Sequence, residues 1–187
     1  MIFNSASMFS KYLSDDVLAQ ICCEEQLIQH ILHVEIALAK AQAALDIIPK
    51  AAALVIEEKL QEIKISPADL AAGTLQNGVP VISILALVKE QLPATAKNYL
   101  HYGATSQDAM DTAQVLMIKD AAGLIEEKVN TLIQNLTQLL KLYGENACMA
   151  HTRGQQAIPI TFGVKIIAWL QPLQRQQQRL QEIKKRL

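Results

Sequence analysis

Aromatic side chains are scarce in this chain: one Trp, four Tyr and three Phe among 187 residues. Glycine (7) and proline (6) are also few. Sheet-rich domains draw on aromatic and β-branched strands joined by many glycine- and proline-marked turns, so these shortages argue against one. Three cysteines do not make a disulfide framework, because Cys22 and Cys23 are neighbours that could bridge each other only under strain. That usage fits a reducing compartment, and a cytoplasmic location is expected. The formal charge of −1 gives no global pull toward nucleic acid or an anionic membrane. No apolar run reaches membrane-spanning length, and Met1–Ser7 lacks the basic-then-apolar pattern of a secretory leader.

What is abundant is Ala, Leu, Ile and Gln, the composition of long helices, and the expected fold class is all-α. Ser14-Asp15-Asp16 reads as a helix start. Helical spacing then runs from Val17 to Leu45, in two pieces divided near Cys23-Glu24. Pro49 suits the first turn of a helix to about Ile63, and Ser66-Pro67-Ala68-Asp69 opens a short one. Asn77-Gly78 marks a turn, and an apolar helix runs from Pro80 to Leu92, ended by Pro93. From Ser106, apolar residues at Ile118, Ala121, Ile125, Val129, Leu132, Leu136, Leu139 and Tyr143 step by three or four without a break. They predict one helix of roughly 38 residues, about 57 Å long at 1.5 Å per residue. Gly144 and Asn146 are plausible stops, followed by a loop from Ala150 to Pro159. A second long helix is expected from Phe162 to Leu187, kinked at Pro172.

The expected organisation is an N-terminal helical domain (1–104) and an incomplete central helical-bundle domain (105–187) holding two long antiparallel helices. Two such helices cannot bury their apolar seams alone and call for further helices or subunits. The C-terminal stretch carries Arg175, Arg179, Lys184, Lys185 and Arg186 against Glu182. That is a solvated helix face or a basic wall facing an anionic substrate or a partner subunit. The chain ends inside this pattern without a stop signal, which reads as truncation.

Two segments could carry chemistry. The first, His101 to Thr112, places a turn glycine, two adjacent hydroxyls, an imidazole and two carboxylates at the mouth of the first long helix. Unpaired amides and a positive dipole end make a helix mouth a seat for anions. Thr105 and Asp108 also have capping-box spacing, so helix capping explains this segment as well, with Ser106 as an alternative cap. The second segment, Ala150 to Ala157, offers the Arg153 fork for a carboxylate and amide donors from Gln155 or Gln156. A polar interhelical loop is its plainer reading. The two segments lie at opposite ends of the long helix, so a joint site would need an antiparallel neighbouring subunit. His30 and His33, with Glu35 nearby, lack metal-site spacing, and Met110, Met117 and Trp169 read as bundle core.

These segments resemble the fumarase/aspartase superfamily, in the branch holding 3-carboxy-cis,cis-muconate cycloisomerases and adenylosuccinate lyases. His101-Tyr102-Gly103-Ala104-Thr105-Ser106-Gln107-Asp108, with Asp111-Thr112, matches that branch's first signature. Gln155-Gln156-Ala157-Ile158-Pro159-Ile160-Thr161-Phe162-Gly163-Val164-Lys165, with Trp169, matches the second. Glu35-Ile36-Ala37-Leu38-Ala39-Lys40-Ala41-Gln42 looks like the cycloisomerase side. The resemblance covers essentially the whole chain, which is less than half of a typical family subunit. It implies a homotetramer with active sites built from three subunits, a di- or tricarboxylate substrate, and a carbanion stabilised as its aci-carboxylate. It implies no cofactor and no metal, and neither nucleic acid nor a membrane as partner. His101 and Arg153 are the candidate catalytic residues, and Thr105, Ser106, Gln107, Thr152 and Gln155 the candidate substrate-binding residues.

Two departures qualify the resemblance. Lyases of the superfamily usually read Arg-Thr-His-Gly-Gln in the second segment, with that histidine in proton transfer. Here the order is His151-Thr152-Arg153-Gly154-Gln155. Arginine stays protonated and is a poor general acid, but it can anchor a carboxylate. Bacterial cycloisomerases of the branch also lack the histidine, which points to lactone formation rather than fumarate elimination. The superfamily's third signature, a Ser- and Lys-bearing loop implied to bring the general base, lies downstream of the stretch matched here. This chain alone is therefore expected to bind weakly and to catalyse nothing. The rival expectation is a non-catalytic helical oligomerisation module.

Overall fold

The computed structural model describes Tyr12 and residues 14–187. Met1–Ser7, read above for a leader, lies outside the described residues. The described chain contains eight helices and one two-stranded sheet. In order they are α1 (Asp16–Ile21), α2 (Glu24–Ala44), α3 (Lys50–Glu62), α4 (Pro67–Asn77), α5 (Val81–Gln91), α6 (Ala94–Lys97), α7 (Ser106–Tyr143), β1 (Ala147–Thr152), β2 (Gln155–Thr161) and α8 (Phe162–Lys184). The chain forms two compact units that meet within α7, between Ile118 and Lys119.

The first unit is a cluster of short helices whose ends are written locally. Asp15 caps α1 by accepting from the Leu18 amide. Ser66 and Asp69 form a reciprocal capping box at α4, and Gly78 closes that helix with φ 76°. Pro93, expected only to end α5, also N-caps the four-residue α6. Ile31 and Leu32 of α2, Ile56 and Leu60 of α3, Leu70 of α4, and Val81, Ile84 and Val88 of α5 are buried together. Ala109 and Ala113, one turn apart near the start of α7, complete this core. Their small side chains let that end of the long helix approach closely.

The second unit pairs most of α7 with α8. Gly163 donates its amide to the Gly144 carbonyl at 2.9 Å, Gln177 Nε2 donates to Asn130 Oδ1 at 2.6 Å, and Lys184 pairs with Glu126. Contacts that climb α8 while descending α7 define antiparallel helices, as expected. The basic C-terminal stretch is thus partly engaged through Lys184. α8 continues through Pro172. Trp169, expected in a bundle core, is 56% exposed. Two helices have only one mutual seam, and Trp169 lies off it.

The stretch from Ala150 to Pro159, expected as a loop, is instead most of an antiparallel hairpin. Thr152 is paired with Gln155, Met149 with Pro159 and Ala147 with Thr161, with a bulge between Met149 and His151. Gly154, at φ 85°, supplies the left-handed position of the Arg153-Gly154 turn. Both strands of a two-stranded sheet are edges, which is why Pro159 is tolerated. Phe162 N–H donates to the Asn146 carbonyl, tying the base of the hairpin to the helix ends.

Candidate active site

The helix mouth at Ser106 is built as a closed hydrogen-bonded knot. Thr105 is the residue before α7. Its amide and its hydroxyl each donate to Asp108 Oδ2 at 2.9 Å, and the Asp108 amide donates back to Thr105 Oγ1 at 3.4 Å. This is the capping box that the spacing suggested, with Thr105 rather than Ser106 as the cap. The backbone N–H of Thr105 is the main reason the exposed Asp108 carboxyl sits below its ordinary range. Gln107 Nε2 donates to Asp111 Oδ1 at 2.6 Å, one turn further on. The Ser106 side chain is half-buried, and no hydrogen bond engages its hydroxyl among the described residues.

The turn before the helix is held from behind by α2. His101 adopts φ 58° and Gly103 φ 71°, both left-handed. For glycine that conformation costs little, but for histidine it costs about 1 kcal/mol or more. Two side chains of α2, two helical turns apart, fix the turn. Glu35 Oε1 lies 2.6 Å from His101 Nδ1, and Gln42 Nε2 donates to the Tyr102 carbonyl at 2.6 Å. The Tyr99 and Tyr102 rings stand 6.3 Å apart.

Glu35 is the buried partner of His101 that sequence reasoning did not place at the site, having noted it beside His30 and His33 and at the head of the Glu35–Gln42 stretch. Its side chain is 2% exposed, the one buried charged residue among those described. Loss of water pushes its carboxyl above the ordinary range; the bond to His101, the His101 charge and Lys89 pull it back. Its Oε2 and the Oε1 of Gln42 are buried without partners. A signal was present: Glu35 lies in line with Ile28, Ile31, Leu32 and Ala39 on the apolar stripe of α2, where an unpaired acid is costly.

The second segment is unlike the first. Thr152, Arg153 and Gln155 stand at the exposed tip of the hairpin, and so does His151. None of the four makes a side-chain hydrogen bond or ion pair with the described residues. His101, Thr105, Ser106 and Gln107 are thus gathered at one helix mouth in the first unit. Thr152, Arg153 and Gln155 are gathered at one turn in the second. Arg153 presents its guanidinium, a fixed fork of donors suited to a carboxylate. Among the described residues no three His, Cys, Asp or Glu cluster in metal-ligating fashion, and no helix is long and apolar enough to cross a membrane.

A helical chain with a capped helix mouth and a polar hairpin tip beside paired long helices defines a class, and comparison with known proteins gives it a family. A family profile described as Lyase matches residues 1–187. The chain belongs to this lyase family, within the fumarase/aspartase superfamily. It is 36% identical over 164 residues to adenylosuccinate lyase of Methanocaldococcus jannaschii, covering 88% of this chain and 36% of that protein. It is 34% identical over 179 residues to 3-carboxy-cis,cis-muconate cycloisomerase of Pseudomonas putida, covering 94% of this chain and 42% of that one. The crystal structure of the 3-carboxy-cis,cis-muconate lactonizing enzyme of Pseudomonas putida superposes with a TM-score of 0.89 at 33% identity, covering 96% of this chain and 42% of that chain. The chain therefore spans about two fifths of the length of the relatives it matches.

Proposed function

We propose that copies of this chain build two walls of the carboxylate-binding site of a 3-carboxy-cis,cis-muconate cycloisomerase, one copy giving the helix mouth and a neighbouring copy the hairpin tip. In this reading a substrate carboxylate oxygen adds across a double bond of the same molecule and closes a lactone ring. A neighbouring carboxylate takes up the developing negative charge as its aci form. The helix-mouth amides and the unengaged Ser106 hydroxyl are donors aimed at such a charge, and Thr105 and Gln107 flank them. Thr152, Arg153 and Gln155 form the second wall, with Arg153 as the carboxylate anchor. The third wall, with the general base, is assigned to the part of the family fold that this stretch does not match.

The observation that carries the choice is Arg153 at the hairpin tip. A group that stays protonated binds a carboxylate well but shuttles protons poorly. Elimination of fumarate from adenylosuccinate is the second reading, favoured by the 36% identity to an adenylosuccinate lyase. Assay of the full-length enzyme on both substrates separates them. Lactone formation from 3-carboxymuconate is expected, and turnover of adenylosuccinate alone overturns the proposal.

The working unit in this reading is a homotetramer. Ile118, Ile125, Leu132 and Leu139 recur every seven residues along α7 and are 51%, 39%, 50% and 39% exposed. Such a stripe is the seam of a helix that packs on further helices. The substrate is a di- or tricarboxylate, and no cofactor is invoked.

A further inference from the structure

We infer that Glu35 is a positioning residue for His101: from the buried face of α2 it fixes the ring as the Nδ1–H tautomer and leaves Nε2 to exchange protons at the helix mouth. The inference deepens the function proposed above and rests on it only for its catalytic consequence.

Four observations carry it. First, the ring nitrogen 2.6 Å from Glu35 Oε1 is Nδ1, so Nε2 is the nitrogen left over. Second, Glu35 is buried to 2%, while the His101 side chain keeps 13% exposure. The pair therefore has an inner, dry end and an outer end with access. Third, His101 sits in a left-handed conformation that a non-glycine residue adopts at a cost, and the turn is over-determined by Glu35 and by Gln42 on the Tyr102 carbonyl. Strain held in place by two polar side chains of α2, one of them buried, belongs to a turn whose geometry matters. Fourth, a buried acid on an otherwise apolar stripe is a poor stabilising element, since leaving Oε2 without a partner is unfavourable. A hydrophobic residue would serve the core better.

The physical role follows from ordinary imidazole chemistry. When neutral, His101 donates from Nδ1 to the Glu35 carboxylate and has a lone pair at Nε2. When Nε2 takes a proton, the buried carboxylate beside Nδ1 offsets the positive charge that forms. The orphaned oxygen makes the arrangement testable with a near-isosteric change. In Glu35→Gln the position of Oε2 tolerates an unpartnered acceptor but not an unpartnered N–H donor. The amide oxygen will therefore occupy it and the NH₂ will face Nδ1. An NH₂ donor requires Nδ1 to be an acceptor, so the variant should carry the proton on Nε2 instead.

The chain has four histidines, so ring ¹⁵N–¹H correlation spectra can resolve them, with His101→Gln identifying the signal. In the unaltered protein, neutral His101 should be protonated at Nδ1. In Glu35→Gln it should be protonated at Nε2, with the amide fingerprint otherwise preserved. Glu35→Asp, which keeps a carboxylate, should hold the original tautomer. In the full-length enzyme Glu35→Gln should lower kcat by ~10²-fold or more while KM changes little. An Nε2–H tautomer in the unaltered protein, or an unchanged tautomer in Glu35→Gln, overturns the inference without reference to any substrate. A flipped tautomer with unaltered turnover of a carboxylate substrate would overturn the catalytic consequence and leave the positioning in place. If neither substrate is turned over even by the unaltered enzyme, the function proposed above fails and the tautomer result still stands.

Discussion

Replacing Thr105 by Ala tests what the helix mouth is made of. The Thr105 hydroxyl accepts the Asp108 amide and gives its only proton to Asp108 Oδ2. Alanine deletes both bonds and leaves Asp108 holding the residue 105 amide alone. Loss of a Ser or Thr cap costs about 1 kcal/mol, within a range of roughly 0.5–2. One kcal/mol is about a fivefold change in the folded-to-unfolded ratio and about 4–6 °C in melting temperature for a unit near 100 residues. Thr105→Ser keeps the hydroxyl and should return most of that loss. Urea denaturation followed by far-UV circular dichroism reads both variants. The same hydrogen bonds constrain function, because a hydroxyl with one proton cannot donate to Asp108 and to a substrate carboxylate together. Substrate binding through Thr105 must displace the Asp108 bond, whereas Ser106 can donate directly. In the full-length enzyme Ser106→Ala should therefore raise KM more than Thr105→Ser does. An unchanged denaturation midpoint in Thr105→Ala would refute the capping assignment, and with it the ranking of the two hydroxyls.

Three further outcomes are expected. Gly163→Ala places a methyl 2.9 Å from the Gly144 carbonyl oxygen and 3.2 Å from Leu140 Cδ1, both where α7 and α8 close on each other. It should destabilise by about 1–3 kcal/mol, read as a lower urea midpoint, while Gly123→Ala, with open space around its Cβ, should not. The Asp108 carboxyl lies below its ordinary value, so it stabilises the fold above the unfolded value near 3.8 and that contribution is lost as pH falls through the lower, folded one. Asp108→Asn should flatten the acid limb of the stability profile, and a profile parallel to the unaltered protein would refute this. Glutamate at Ile125 and Leu132 should disperse the assembly by light scattering while leaving helicity intact, and a stable monomer of the unaltered chain would contradict the proposed tetramer.

The helices were legible because their signals are local. Ser66 with Asp69, Pro49, Pro80 and Gly78 each state an end within a few residues, and the three-and-four spacing of α7 gave its limits at Ser106 and Tyr143. The hairpin was not legible. It has few β-branched residues and carries Pro159 in a strand, and its pairing depends on a glycine turn whose strands are mostly exposed. The site was legible in part for the same reason. Thr105 and Asp108 lie three residues apart and read directly, but Glu35 and His101 lie 66 residues apart and meet only through the packing of α2 against the turn. Gln42 and Tyr102, 60 apart, were hidden in the same way.

The two segments therefore differ in how their geometry is fixed, and this bears on how the proposed site would work. At the helix mouth, Thr105, Gln107 and Asp108 are held by hydrogen bonds to their neighbours, and the turn is braced from α2 by Glu35 and Gln42. Donors held before a ligand arrives lose little on binding, which is how preorganised amides stabilise a developing charge. At the hairpin tip, the side chains of Thr152, Arg153 and Gln155 have no hydrogen-bond or ion-pair partner among the described residues, and Arg153 gives up side-chain entropy when it is ordered. If both segments bind carboxylates, truncating Arg153 should be felt mainly as a rise in KM. Loosening the helix mouth through Glu35 should be felt mainly in kcat. Steady-state kinetics of Arg153→Ala beside Glu35→Gln in the full-length enzyme tests that division. Equal effects of both variants on kcat with unchanged KM would show that Arg153 acts on the transition state rather than as a substrate anchor.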